Sequence, residues 1–212
     1  ICTLLASPWI NEADRQTLRM GQLDKLFNND YCTKSCDEIV SRLMELQQPD
    51  GGFAWIQYRN CKSSLYCTGE VLEILGRVKK LGHLNADSRL NGIIEKAVNY
   101  YDSEHLKLFK KLKKTDSMIW YDDYAFVRTL YPEIAVPEAN RAYVKRILND
   151  IENGWKGSSL AHKAFYALTL NNNGMNATAR KITESIRQFS ITTEQRGMYW
   201  DRIDGGWWRG RN

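Results

Sequence analysis

Apolar residues recur at intervals of three and four along most of this sequence, and that spacing constrains its fold more than any other feature. Residues so spaced share one face of an α-helix, and the stripe they form must bury against a neighbour. The clearest stripes are Ile39, Val40, Leu43, Met44 and Leu46, then Val71, Leu72, Ile74, Leu75, Val78 and Leu81, then Leu90, Ile93, Ile94, Ala97, Val98 and Tyr101. Two more are Tyr143, Val144, Ile147, Leu148 and Ile151, and Ala179, Ile182, Ile186 and Phe189. Only 4 prolines interrupt 212 residues, so long stretches are free to be helical. The fold class expected is all-α, with no strands beyond short ones at loop aromatics. Tyr199-Trp200 and Trp207-Trp208 are the only β-like aromatic pairs.

Local start and stop signals divide the chain. A first helix is expected from about Asn11 to Phe27. A second begins near Ser35, where Ser35-x-x-Glu38 reads as a capping box, and Pro49-Asp50-Gly51-Gly52 stops it. One of these two glycines is expected at a positive φ, which lets the chain turn before Phe53. A third helix runs from near Ser64 to Gly82. The fourth passes through Tyr101 and continues or restarts through Leu108 and Leu112. A short helix over Asp123–Leu130 is closed by Pro132, and another opens after Pro137. The last two are Ser159–Asn171, with Gly174 closing it, and Asn176–Phe189.

Two kinds of helix alternate. Some carry one apolar stripe among many charges. Others, such as Leu160–Leu168, are apolar around much of the circumference and imply contact on more than one side. That alternation suggests an inner and an outer layer. An aromatic-centred turn recurs between them, at Gly51-Gly52-Phe53-Ala54-Trp55, Met118-Ile119-Trp120-Tyr121, Asn153-Gly154-Trp155 and Gly197-Met198-Tyr199-Trp200. Recurrence of a helix-loop-helix unit marks stacked hairpins, here with irregular spacing. Phe53, Trp55, Trp120, Tyr121, Trp155, Tyr199 and Trp200 are therefore candidates for one of two roles. They either plug the core where two helices turn, or face a ligand.

The chemistry-bearing residues are sparse. The net charge of +5 is mild, and 43 % hydrophobic with 26 % charged residues excludes a disordered chain. The basic run Lys107–Lys114 contains Leu108, Phe109 and Leu112 at helical spacing, so its lysines read as a solvated face and no nucleic-acid partner is expected. No apolar segment is long enough for membrane insertion. Cys2, Cys32, Cys36, Cys61 and Cys67 lack the paired spacing of a zinc site and read as ordinary thiols, with no metal and no cofactor expected. Tyr121-Asp122-Asp123-Tyr124 is the nearest match to a cyclase acid motif, but two acids at a helix start are explained by the helix dipole and capping. A prenyltransferase zinc site needs an Asp, a Cys and a His in set contexts, and no such set is visible around His162; His83 and His105 are expected to face solvent.

The segment Leu46-Gln47-Gln48-Pro49-Asp50-Gly51-Gly52-Phe53-Ala54-Trp55 resembles a hallmark of bacterial α2-macroglobulin-like proteins. The context agrees in order, from Ser7-Pro8-Trp9 and Leu26-Phe27-Asn28, through Ser63–Thr68 and Val78–Gly82, to Arg196–Trp200 and Gly205-Gly206-Trp207-Trp208. A Gln-x-x-Asp-Gly-Gly-Phe-x-Trp segment also occurs in other toroids, including terpene cyclases and prenyltransferases. The resemblance implies a partial α/α toroid of helical hairpins, one domain over 1–212, truncated at both ends from a larger protein. It implies a non-enzymatic structural and interaction role in a periplasmic or surface-exposed cell-envelope protein, a broad-spectrum endopeptidase inhibitor that traps proteases. The implied partners are the other domains of the parent chain and the proteases it captures. Many members carry a Cys-x-Glu-Gln thioester. Here Glu194-Gln195 is present, but Thr192 stands where the Cys would be required. Two rival readings remain from the residues. One is an α/α-barrel enzyme acting on a polysaccharide or a cyclase-like substrate. The other is an aromatic-lined module that binds carbohydrate or peptide.

Overall fold

The computed structural model describes residues 29–56, 61–81 and 88–200. The expected helix Asn11–Phe27, the stop at Gly82, His83, Cys2 and the Trp207-Trp208 pair lie outside these residues. The chain divides into two compact units at Gln47/Gln48. Within the first, helix α1 spans Asn29–Leu46. It starts six residues before the expected capping box, so Ser35 and Glu38 are interior positions rather than a boundary. The motif looks the same in a helix interior, and Asp30 supplies the acidic first turn that the dipole favours. The i,i+3 pair Arg42–Glu45, 2.6 Å apart, lies on its exposed face.

The second unit begins with a tight loop and continues through six helices. These are α2 (Leu65–Lys80), α3 (Ser88–Phe109), α4 (Asp122–Thr129), α5 (Glu138–Gly154), α6 (Leu160–Asn172) and α7 (Asn176–Gln188). Single 3-10 turns precede α4 and follow α5, at Ile119–Tyr121 and Trp155–Gly157. Among the described residues the structure is thus all-α apart from one hairpin, β1 (Ile191–Thr193) with β2 (Gly197–Tyr199). Its strands are antiparallel, with Thr192 opposite Met198.

Most boundaries follow the local signals. Ser64 and Ser159 cap α2 and α6, each accepting from the backbone N–H three residues on, at 3.3 Å. Pro137 precedes α5. The ambiguity after Tyr101 resolves at Phe109, where α3 ends. Leu112 lies half-buried in the turns that follow, and Lys107, Lys110, Lys111, Lys113 and Lys114 are exposed.

The helices pack in sequence order. Helix α2 lies against α3 and α4, α4 against α5 and α6, and α6 against α7, while α3 also touches α5. The short α4 has neighbours on most sides, and Tyr124, Ala125, Phe126, Val127 and Arg128 are all buried. Helix α6 is less enclosed than its composition suggests, since Leu168 faces solvent. The core between them holds Leu72, Val98, Phe109, Met118, Ile147, Ile151, Leu170 and Ile182, each at most 0 % exposed. Burying side chains of this size contributes about 1.5–3 kcal/mol apiece before entropy is counted.

The loop before α2 is fastened on several sides. Gly51 N–H donates to Gln48 O at 2.9 Å, Gly52 N–H to Asp50 Oδ1 at 3.1 Å, and Phe53 N–H to the Thr68 hydroxyl at 2.9 Å. Phe53 also bridges to Ser64 across the loop. Gly51 has φ +90, and a Cβ there would sit 2.5 Å from the Lys96 carbonyl oxygen of α3. Both conformation and space therefore demand glycine. Gly174, with φ +81 after α6, has open space around it. Gly51→Ala should cost about 2–4 kcal/mol, the sum of the left-handed penalty and a backbone clash. Gly174→Ala should cost only about 1–2 kcal/mol. Urea unfolding of the two variants checks this, and equal losses would remove the argument from close approach.

Candidate functional site

The polar face of α2 carries Tyr66, Gly69, Glu70 and Glu73, spaced so that all four point the same way. Opposite them stand Trp120 and Tyr121 from the 3-10 turn and Asp123 from the first turn of α4. Tyr101 and His105, one turn apart on α3, join Tyr124 in the remaining wall. Together these enclose a cleft of about 290 Å³. Its rim is aromatic and open, with Tyr66 63 % and Trp120 72 % exposed. Trp55 extends that rim, its ring 6.2 Å from that of Tyr66.

His105 does not face solvent, contrary to the reading of its polar neighbours. It is buried, because Tyr101, His105 and Phe109 continue the inward stripe of α3 at intervals of four. Its ring packs edge-on to Tyr101 at 4.3 Å and beside Tyr124 at 4.4 Å. Nδ1 lies 3.0 Å from the Tyr101 carbonyl oxygen, which can only accept, so Nδ1 carries the proton. Nε2 is then a lone-pair acceptor with no hydrogen-bond partner among the described residues. Burial lowers the pKa of His105 from 6.5 to about 4, against a smaller raising effect of the Tyr101 hydrogen bond, so the imidazole is neutral at neutral pH.

The carboxylates differ in setting. Glu73 is buried and paired with Arg77 at 2.6 Å, while Glu70 and Asp123 are half-buried. Asp122 and Asp123 both occupy the first turn of α4, where negative charge suits the helix dipole, and Asp122 is fully buried. Behind the cleft, Tyr124 donates to Asp102 Oδ1 at 2.7 Å and Asn140 Nδ2 donates to the Tyr124 hydroxyl at 2.8 Å. Burial and the Asp102 carboxylate push the Tyr124 phenol well above its ordinary range, so it remains a donor.

Of the seven aromatics singled out from sequence, the structure brings Trp120 and Tyr121 into the cleft and Trp55 to its rim. Phe53 is buried in its loop. Trp155 lies elsewhere, sharing the Lys163 ammonium with Phe189 at 5.8 and 5.3 Å. Trp200 docks the hairpin on α7 by donating Nε1–H to Ile186 O at 2.9 Å, and Tyr199 lies under Arg196. The sequence reading missed Tyr66, Glu70, Glu73 and His105. The available signal was the i, i+3, i+4, i+7 stripe on α2, which passes for an ordinary solvated face.

Among the described residues no group of three or more His, Cys, Asp or Glu side chains is arranged to hold a metal ion, and no helix is long and apolar enough to cross a membrane. Cys36, Cys61 and Cys67 are free thiols. Comparison with protein families, curated proteins and solved structures returns no match to this chain.

Because the folded pKa of His105 lies below its unfolded value, its contribution is intact above pH 6.5 and is lost as pH falls from 6.5 to about 4. Asp102 acts with opposite sign above pH 3.8, since burial raises its pKa. The comparison that isolates His105 is wild type against His105→Gln by denaturant unfolding at a series of pH values. Wild type should lose up to about 1.4 kcal/mol per pH unit more than the variant across that window. Parallel profiles would contradict a buried neutral imidazole.

Proposed function

We propose that this chain is part of an α/α toroid of helical hairpins in a bacterial α2-macroglobulin-like cell-envelope protein. There it is a non-enzymatic structural and interaction domain of a protease trap. The observation that carries this reading is the packing order. Helix α4 packs against both α2 and α6, and each of these three is followed by a helix that packs against it. An inner and an outer ring of hairpins would follow from repeating that pattern. The fastened loop around Gly51 lends support, because it is the segment on which the family resemblance rests.

On this reading the partners are the other domains of the parent chain and the captured endopeptidase. Covalent capture requires a Cys thiol condensed with a Gln amide three residues on. Glu194 and Gln195 sit in the turn between β1 and β2, and Thr192 lies in β1 where the thiol would have to be. Any acyl chemistry of the parent is therefore assigned outside this chain.

A trap that cages a peptidase excludes protein substrates while admitting small peptides. The parent protein, incubated with a broad-specificity endopeptidase, should block cleavage of a protein substrate and leave a small chromogenic peptide substrate cleaved. Unimpeded cleavage of both would overturn the assignment. The 212-residue chain alone should inhibit neither reaction. Methylamine treatment should leave its intact mass and thiol count unchanged. A gain of one thiol with the matching mass would place a thioester in this chain.

A second reading, an aromatic-lined binding module, is favoured by the way Tyr66, Trp120 and Tyr121 surround the cleft.

A further inference from the structure

We infer that the cleft between α2, α3 and α4 binds a neutral pyranose, one sugar ring of an oligosaccharide, laid against Trp120. The inference rests on the second reading above, that the cleft is an aromatic-lined binding site, and is independent of the toroid assignment. Glu70, Glu73 and Asp123 line the cleft, and each already has a partner, so their charge carries none of the argument. The argument starts from an uncharged group. His105 lines the cleft and is 6 % exposed. Its proton is committed to the Tyr101 carbonyl, and its Nε2 lone pair has no hydrogen-bond partner among the described residues. Toward a ligand, this neutral ring can only accept.

At the rim the polarity is reversed. The Trp120 indole N–H and the Tyr66 and Tyr121 hydroxyls also line the cleft, and none of them makes a hydrogen bond among the described residues. The indole can only donate, and a phenol donates readily. A ligand that matches both ends must donate at His105 and accept at the rim. A hydroxyl does both. A guanidinium or an ammonium brings no acceptor, a carboxylate brings no donor, and a hydrocarbon brings neither, so each leaves one end unmatched. A metal ion needs converging ligands, and the described residues offer no such group.

Among ligands that carry hydroxyls, the aromatic rim selects a ring. Trp120 and Tyr66 are exposed, and Trp55, exposed as well, continues the rim with its ring 6.2 Å from that of Tyr66. Neighbouring exposed aromatics form a patch, which marks a contact site where scattered ones would not. A pyranose with equatorial hydroxyls carries C–H bonds on its two flat faces and hydroxyls around its edge. One face can lie on an aromatic ring while the edge reaches His105. An open-chain polyol has the same hydroxyls and no such face. A peptide has amides, but modules that read an extended main chain present a sheet edge to it. The walls here are helices, whose backbone groups bond within each helix. A volume of about 290 Å³ is at the small end for a ligand site and suits the end of a short oligosaccharide.

The test is a titration of the 212-residue chain, by calorimetry and Trp fluorescence. The probes are cellotetraose, tetra-N-acetylchitotetraose, sorbitol and an uncharged proline-rich peptide, N-acetyl-Pro-Pro-Gly-Pro-Pro-amide. At least one tetrasaccharide should bind, with little dependence on salt because the ligand is neutral. Sorbitol and the peptide should not bind. Trp120→Ala should weaken sugar binding at least about threefold, since it removes a ring face and a donor. His105→Phe keeps a ring and removes the acceptor, and should weaken binding by about 2- to 10-fold, the worth of one hydrogen bond. Trp155→Ala, remote from the cleft, should change nothing. Circular dichroism checks the fold of each variant, and Trp120, exposed in a turn, decides the outcome if His105→Phe fails to fold. Sugar binding unchanged by Trp120→Ala would put the sugar elsewhere and overturn the inference. Sorbitol binding as tightly as either tetrasaccharide would overturn the pyranose. Trp120-dependent binding of the peptide and of neither sugar would overturn the sugar assignment and leave the binding-module reading standing. No binding of any probe up to about 10 mM would overturn both.

Discussion

Asp102 and Arg128 are buried together, 4 % and 2 % exposed at the side chain, with Arg128 Nε 3.2 Å from Asp102 Oδ1. Taking both charges out of water costs several kcal/mol per ion unless other groups restore what water supplied. The restoration here is partial. Tyr124 donates to Asp102 Oδ1, and Arg128 Nη2 donates to the Ile134 carbonyl at 2.7 Å. Asp102 Oδ2 and Arg128 Nε and Nη1 make no hydrogen bond, so the approach of the two groups is an ion contact rather than a fork. Burial outweighs Arg128 and Tyr124 and leaves the Asp102 pKa raised. Such a pair is a poor source of stability, but removing one member strands the other. Its effect is to fix how α3, α4 and α5 sit against each other, with Asn140 of α5 donating to the Asp102 carbonyl at 3.0 Å.

The cleft inherits its shape from that knot. Tyr124 belongs to both, since its hydroxyl is held by Asp102 and Asn140 while its ring packs on His105. The end of α4 is fixed to α2 by the Tyr131 hydroxyl, which donates to the Leu72 carbonyl. With α4 anchored on both sides, Trp120 and Asp123 at its start are carried to a set distance from Tyr66 and Glu70 on α2. The aromatic side chains of the rim need no hydrogen bonds of their own to stay in place.

Signals that act within one turn of chain were legible from sequence. Ser64, Ser159, Pro137, Gly51 and Gly174 each mark a boundary because the backbone there needs a specific side chain or none. Ser35 misled for the same reason, since a capping box reads alike at a helix start and inside one. His105 was hidden by Asp102, Ser103 and Glu104, although its place four residues from both Tyr101 and Phe109 puts it on the buried stripe. The cleft was half legible. Trp120 and Tyr121 stood out as loop aromatics, whereas Glu70 and Glu73 sit on the polar face of α2, where carboxylates ordinarily meet water. Which polar face meets which loop is set by packing between distant segments, and no local pattern encodes it.

A double-mutant cycle on the buried pair tests most directly whether one knot holds these three helices. Unfolding free energies are needed for wild type, Asp102→Leu, Arg128→Met and the double variant. Each single change should cost about 3–5 kcal/mol, because it leaves an uncompensated buried charge. The double variant should lose no more than one single variant does, with the cleft aromatics still in place by Trp fluorescence. Losses that add across the pair would show that Asp102 and Arg128 act separately, and would contradict the account.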